Sequence, residues 1–414
     1  MQSIIVVTDL GHASPRWVGF SNSIARRGIK VHIFTPSMSR GQMNFLGVIL
    51  HENIVLHQAA KFKMEYKSDR HMSPLIRRLR SYCLLIKGRF TLLDRISSSL
   101  TENELIENWE TEIESSIRDI QRTLMIDLIV SSSSPFYCHK MAFSLGEKFN
   151  IPWFADYRDL HALNHNLQTI DERTLEAEKE LISSCAGVIT TCESFALLLR
   201  EMVNKPVYIL RNGFESLESD SSDIALVKRN SIFYTGQIYP KSQNIHMFLD
   251  ALCEHNSSSF EKIEFRIFGT SSNIIKQYFQ LRNERLPSWI ILEKEVSRLT
   301  SRNKQREAGL LLLLDWKDIG KGVPLLTKLY EYLSSGVPIM LITENDTSEK
   351  ISIIEHSRSG TVLRTKLELL NFLKTFASSE FELHQRNLEY IATFSYDAQV
   401  TKFIPWLDDI LEYN

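Results

Sequence analysis

Short apolar, β-branched runs alternate with longer amphipathic stretches along most of this chain. The first run, SIIVVT at Ser3–Thr8, leads into a Leu10–Gly11–His12 loop and a helical pattern from Trp17 to Arg27. Gly28 stops that helix, and KVHIFT at Lys30–Thr35 is a second run. An apolar run, a stretch of period 3.6 and another apolar run make a βαβ unit. Ile54–His57, Asp127–Ser131, Ile151–Ala155, Gly187–Thr191 and Val207–Leu210 extend the strand series. Helices are predicted over Glu102–Arg122, Thr174–Cys185 and Glu193–Val203. The Ser- and Asp-rich stretch Glu215–Lys228 reads as a linker. The pattern then restarts, with predicted strands at Ser231–Thr235, Glu264–Phe268, Trp289–Leu292, Gly309–Trp316 and Pro338–Thr343, and a helix over Ile245–Cys253. This alternation predicts an α/β fold of two doubly wound, Rossmann-like domains, 1–212 and 213–395, facing each other across a cleft.

Thr327–Ile339, TKLYEYLSSGVPI, carries the most chemistry. It follows an apolar run and a glycine-containing loop, and another apolar run succeeds it. A helix beginning at Thr327 presents unpaired N–H groups and partial positive charge, which suit a phosphate. Lys328 in the first turn opposes the helix dipole, and an arriving anion would account for it. Glu331, one turn on, is within reach of a ribose hydroxyl pair. Loop amides, a lysine and a carboxylate in that order would hold a nucleoside diphosphate. Lys328 and Glu331 would equally serve as an exposed pair on a helix, and these residues alone leave both readings open.

Ligands of open α/β sheets sit at the carboxyl ends of the strands. Five polar clusters are predicted there: Gly11–His12, Ser131–Pro135, Asp156–His161, Gly236–Lys241 and Lys317–Glu331. Gly236 would let the backbone approach a ligand closely, with Gln237 beside it and Lys241 as a phosphate counter-ion. A plain strand-to-helix turn fits the same residues. In the cluster Asp156–Tyr157–Arg158–Asp159, Asp156 and Arg158 read as an internal clamp. Asp159, His161 and His12 are candidates to handle an acceptor's proton, with structural roles as the alternative. Base and sugar contacts would fall in the loops Gly269–Asn273 and Lys294–Arg298.

Composition narrows the field. The 414 residues are 43% hydrophobic and 24% charged, as in globular proteins, and the net charge of −2 gives no argument for nucleic-acid binding. The five cysteines are scattered without a CxxC pair, so neither a disulfide framework nor a zinc site is expected and a reducing cytosol fits. The N-terminus lacks a basic leader pattern, and no apolar run approaches a membrane-spanning length. Lys61–Arg95 holds KFKMEYK, RRLR and KGRF. It reads either as a solvated helix face or as a basic surface for anionic lipid or a lipid-linked acceptor.

Taken in order, TDLGH, SSSSPFY, IPWFADYRD, ITTCESFALLL, VYILRNGFE, IFYTGQIYP, FRIFGT and KLYEYLSSGVPIM resemble bacterial nucleotide-sugar glycosyltransferases of the GT-B fold. The likeness is to the family-4-like enzymes of surface polysaccharide synthesis. It implies an acceptor-binding N-terminal domain, with a final helix within 396–414 returning onto it, and a donor-binding C-terminal domain. It further implies Glu331 on the ribose and the Gly236 loop on the diphosphate. Donor contacts at Gln237, Gly269, Thr327 and Lys328 would follow, with Gly11 and Arg158 on the acceptor side. It implies no metal or other cofactor, a nucleotide-sugar donor (UDP-linked by preference), a glycan or lipid-linked acceptor, retention at the anomeric carbon, and a cytoplasmic enzyme at the inner face of the membrane. Two positions depart from the pattern. Gln237 stands where relatives often carry arginine, and Val323 stands where many carry an acidic residue eight positions before the ribose glutamate. A nucleotide-sugar epimerase of the same fold and a non-catalytic glycan- or nucleotide-sugar-binding partner of a synthesis complex are the alternative functions.

Overall fold

A computed structural model of the chain describes residues 1–11, 16–60, 102–164, 167, 169–217, 228–317, 322–346, 348–378 and 385–413. Two parallel sheets organise them. The first runs in the order β3 (Ile54–Gln58), β2 (Lys30–Thr35), β1 (Ser3–Thr8), β4 (Leu128–Ser133), β5 (Trp153–Tyr157), β6 (Gly187–Thr190) and β7 (Val207–Ile209). The second repeats the scheme as β10 (Ile290–Glu293), β9 (Glu264–Phe268), β8 (Lys228–Thr235), β11 (Ala308–Leu314), β12 (Ile339–Ile342) and β13 (Gly360–Leu363). In each sheet the order reverses beside the first strand of the set. A doubly wound sheet opens its ligand crevice at that reversal. The basic stretch 61–95, His12 and most of the linker lie outside the described residues.

Helices cover both faces of each sheet, so central strands such as Ser3–Thr8 and Ala308–Leu314 are almost wholly buried and read largely as apolar runs. Val31, Ile33, Val130 and Phe154 on one face of the first sheet pack with Trp17, Phe20 and Ile24 of the helix Arg16–Ala25. Val400, Phe403 and Leu407 of the terminal helix Tyr396–Tyr413 complete that layer. Tyr396 is seated so closely on Gly19 that a Cβ there would fall 2.2 Å from its ring. The other face of the first sheet shares an apolar cluster with the second unit. Phe195 and Phe214 belong to it together with Leu329, Tyr330 and Leu333 of the helix Thr327–Ser335. Among the described residues, no helix is long and apolar enough to cross a membrane.

Two strands run further than their composition suggests. Ser131–Ser133 belong to β4 and are fully buried, although a serine run reads as a loop. Two of the three hydroxyls have partners: Ser131 Oγ lies 2.7 Å from His139 Nδ1, and Ser132 Oγ donates to Asp156 at 2.7 Å. The fifth strand likewise extends through Asp156 and Tyr157, so the first half of the expected polar loop is sheet.

Candidate active site

The carboxyl ends of the second sheet open on a cleft of about 470 Å³. Its floor is made by two glycine turns. Gly236, directly after β8, has φ of 101° and donates its N–H to Phe268 O at 2.8 Å. Gly269, after β9, has φ of 142°, and a Cβ on it would lie 2.6 Å from the carbonyl oxygen of Gly236. Only residues without side chains allow these turns to nest and leave backbone facing the cleft.

The helix Thr327–Ser335 starts at one wall. Leu326 is its N-cap and supplies no side-chain hydrogen bond to the first turn. Leu326, Thr327 and Lys328 all line the cleft, so an uncapped helix N-terminus faces it, as anion binding requires. Tyr332 fixes the helix to the sheet, its hydroxyl accepting from the N–H of Thr235 at 3.1 Å.

Lys328 reaches across the glycine floor. Its Nζ donates to Tyr234 Oη at 2.7 Å and sits 3.9 Å from the centre of that ring. Tyr234 Oη in turn donates a hydrogen bond to Gln237 O at 2.8 Å. No carboxylate among the described residues lies within ion-pair distance of the ammonium group. Burial pulls its pKa down to about 7, and the charge of Glu331 offsets only part of that. Glu331 is 15% exposed and holds Arg298 Nε at 3.0 Å. Phe45 and Leu46, at the end of the helix Arg40–Leu46 in the first unit, form the facing edge of the cleft.

A lysine that is half-neutral near pH 7 must gain a proton to meet a diphosphate. Below pH 7 it is already charged; above pH 7 binding recruits the missing proton. We expect affinity for a nucleoside diphosphate to fall as pH rises above about 7, by up to roughly tenfold per unit. Calorimetry in buffers of different ionisation enthalpy should record proton uptake growing between about pH 7 and 8.5. Uptake that is unchanged in Lys328→Met would assign the proton to another group.

The sequence-predicted residues divide between two places. Gly236, Gln237, Gly269, Thr327, Lys328 and Glu331 converge on this one cleft. Lys241 does not join them and is exposed on the following turn. Gly11, Arg158, Asp159 and His161 lie at the carboxyl edge of the first sheet. Gly11 donates its N–H to Asp9 Oδ1 at 2.8 Å, and His161 stacks on Phe136 with ring centres 4.0 Å apart. Burial lowers the pKa of His161, and Lys140 adds to the effect. The expected Asp156–Arg158 clamp is not formed. Asp156 is inside the strand and is held by Arg16 Nη2 at 2.9 Å, Trp17 Nε1 at 2.7 Å and Ser132. Arg158 instead binds the carbonyl oxygens of Ser133 and Ser134 at 3.0 and 2.6 Å.

Phe45 and Leu46 line the cleft and were missed by sequence reasoning, as was Tyr234, which lies buried beneath it as the partner of Lys328. Arg298 belongs to the loop Lys294–Arg298 flagged for ligand contacts, and it does line the cleft. Tyr234 and Phe45 resemble ordinary core aromatics until the fold brings them to the lysine and the cleft mouth. Val323, at the position where an acidic residue was expected, does not line the cleft. Among the described residues, no group of three or more His, Cys, Asp and Glu side chains could hold a metal ion.

No family model and no curated protein sequence matches the chain. Solved structures do. Anabaena HepE in complex with UDP and glucose superposes with a TM-score of 0.60 at 11% identity, over 100% of both chains. The lipopolysaccharide outer core galactosyltransferase WaaB gives 0.56 at 12% identity over 99% of each chain. A putative UDP-N-acetylglucosamine 2-epimerase from Listeria monocytogenes gives 0.54 at 10% identity, over 100% of this chain and 97% of that one. At such identities the likeness speaks for architecture. Over its whole length the chain has the GT-B fold, with two parallel Rossmann-like sheets as in known glycosyltransferase structures.

Proposed function

We propose that this protein is a glycosyltransferase that moves a sugar from a nucleoside-diphosphate sugar, UDP-linked by preference, to a hydroxyl of a glycan or lipid-linked glycan, with retention at the anomeric carbon. One observation carries the reading: an uncapped helix N-terminus, Lys328, two nested glycine turns and Glu331 line a single cleft. Each matches one part of a nucleoside diphosphate. The N–H groups and Lys328 would meet the phosphates, and the glycine turns admit the chain of the ligand. Glu331 would take the ribose hydroxyls, with Arg298 holding its carboxylate in place. The protein that moves the sugar needs to stabilise the departing diphosphate, and preformed amides with a nearby ammonium group do this without reorganisation. That HepE is described with UDP and with UDP-glucose supports a UDP-linked donor.

The acceptor would enter from the first sheet, where Asp159 and His161 are the candidates to take its proton, with Gly11 and Arg158 shaping the approach. Domain boundaries near 212 and 395, an acceptor-binding role for the first unit and action at the inner face of a membrane complete the proposal. Of the rival readings, the epimerase has a structural counterpart in the Listeria protein. Epimerisation needs a set of acid and base groups around the sugar; the acidic and basic side chains lining the cleft are Glu295, Arg298, Lys328 and Glu331, and the last three are assigned above to the phosphates and the ribose.

Binding and turnover separate these readings. Wild-type protein should bind UDP and transfer sugar to a glycan acceptor, and Glu331→Gln should weaken UDP binding about tenfold, as expected for the loss of a charged hydrogen bond to a hydroxyl pair. Interconverted sugar without acceptor would identify an epimerase. A protein that binds glycan yet neither binds nor consumes nucleotide sugar would be a non-catalytic partner.

A further inference from the structure

We propose that Ser194, in the first unit, is a positioning residue for the donor site. The inference rests on the glycosyltransferase reading above. Ser194 occupies the first turn of the helix Glu193–Met202, far from the cleft in sequence. Its hydroxyl makes a reciprocal pair of bonds with one residue of the second unit. It accepts from Val323 N at 3.2 Å and donates to Val323 O at 3.1 Å. Cys192 Sγ stands 3.3 Å from the same hydroxyl. Gly322 lies flat against this contact at φ of 75°, where a Cβ would come within 3.2 Å of both Ser194 and Phe195. The preceding residue, Glu193, donates its N–H to Glu349 at 2.9 Å. Arg211, also from the first unit, holds Glu349 through its Nε at 2.6 Å.

Val323 begins the segment that runs through Leu326 into Thr327 and Lys328. A hydroxyl pinning both polar groups of Val323 therefore sets where the uncapped helix turn points. The register of the phosphate-binding amides depends on the two units keeping their present pose, because half of this contact belongs to each. The backbone of Val323 is thus gripped from the other unit.

The full-length chain tests this with UDP and UMP titrated by calorimetry against wild type, Ser194→Ala and Ser194→Thr. Losing the paired bonds should weaken UDP binding about five- to tenfold. UMP, lacking the outer phosphate, should bind within about twofold of wild type, and Ser194→Thr should recover UDP affinity. Amide exchange over residues 322–328 should quicken in Ser194→Ala while the rest of the chain keeps its protection. Wild-type UDP affinity in Ser194→Ala, or equal losses for UDP and UMP, would overturn the proposal while leaving the donor reading intact. A wild-type protein that binds neither nucleotide would overturn both.

Discussion

Replacing Lys328 by methionine should cut kcat/KM for sugar transfer on the order of 10²- to 10³-fold, the range expected when one preorganised donor to a developing negative charge is removed. The same change should leave the melting temperature unchanged or raise it. That pairing of effects distinguishes a functional lysine from a structural one. Lys328 is partly buried and, among the described residues, has no carboxylate within ion-pair distance; its ammonium group meets a phenol oxygen at 2.7 Å and an aromatic face. Burial depresses its pKa, and the charge of Glu331 offsets only part of that. Methionine keeps the alkyl stem and its packing and removes the uncompensated group. The loss should fall on the diphosphate, so UDP binding weakens with it. Lys328→Met with near-normal turnover, or with a large loss of stability, would place the phosphate charge elsewhere.

The second large effect concerns stability. Asp156 and Arg16 are both fully buried, at 0% and 1% exposure, and are joined by two hydrogen bonds of 3.3 and 2.9 Å. Trp17 and Ser132 supply further donors to the same carboxylate, and Arg16 Nη1 also reaches Asn212 at 3.3 Å. Burial alone would raise the pKa of Asp156. The charge of Arg16 and these hydrogen bonds reverse that and hold it below the usual carboxylate range. Removing one partner strands the other, so Asp156→Ala should cost about 3–5 kcal/mol in urea unfolding of the first unit. Replacing both residues with apolar side chains of similar volume should recover much of that loss, which a double-mutant cycle measures. Because the carboxyl pKa is depressed on folding, its stabilising contribution is full above the unfolded value near 3.8. It disappears as pH falls through the lower folded value. A cost below about 1 kcal/mol for Asp156→Ala would show that water or another cation relieves Arg16.

Much of the fold is legible in local pattern. SIIVVT, KVHIFT and GLLLLL can satisfy their apolar side chains only as buried parallel strands, and the glycines and polar turns between them mark the βα alternation. The helix wall of the cleft is legible for the same reason. Thr327, Lys328 and Glu331 lie within a single helix, and their spacing is fixed by its pitch. Gly236 and Gly269 announce themselves by sitting directly after strands. The serine run misleads because its hydroxyls look like loop chemistry. They become strand residues once His139 and Asp156 arrive as partners.

What the chain determines by itself is therefore everything governed by near neighbours: the alternating elements, the two parallel sheets, and the helix turn that carries lysine and glutamate. Tertiary structure alone decided the pairings across long separations, Arg16 with Asp156, Arg298 with Glu331, and Ser194 with Val323. Hydrogen bonds and ion pairs of this kind depend on distances of about 3 Å, and no pattern of period two or 3.6 encodes which distant segment will supply the partner. Only the packing of the shared apolar core, which holds Phe195 and Phe214 together with Tyr330 and Leu333, brings those segments within reach.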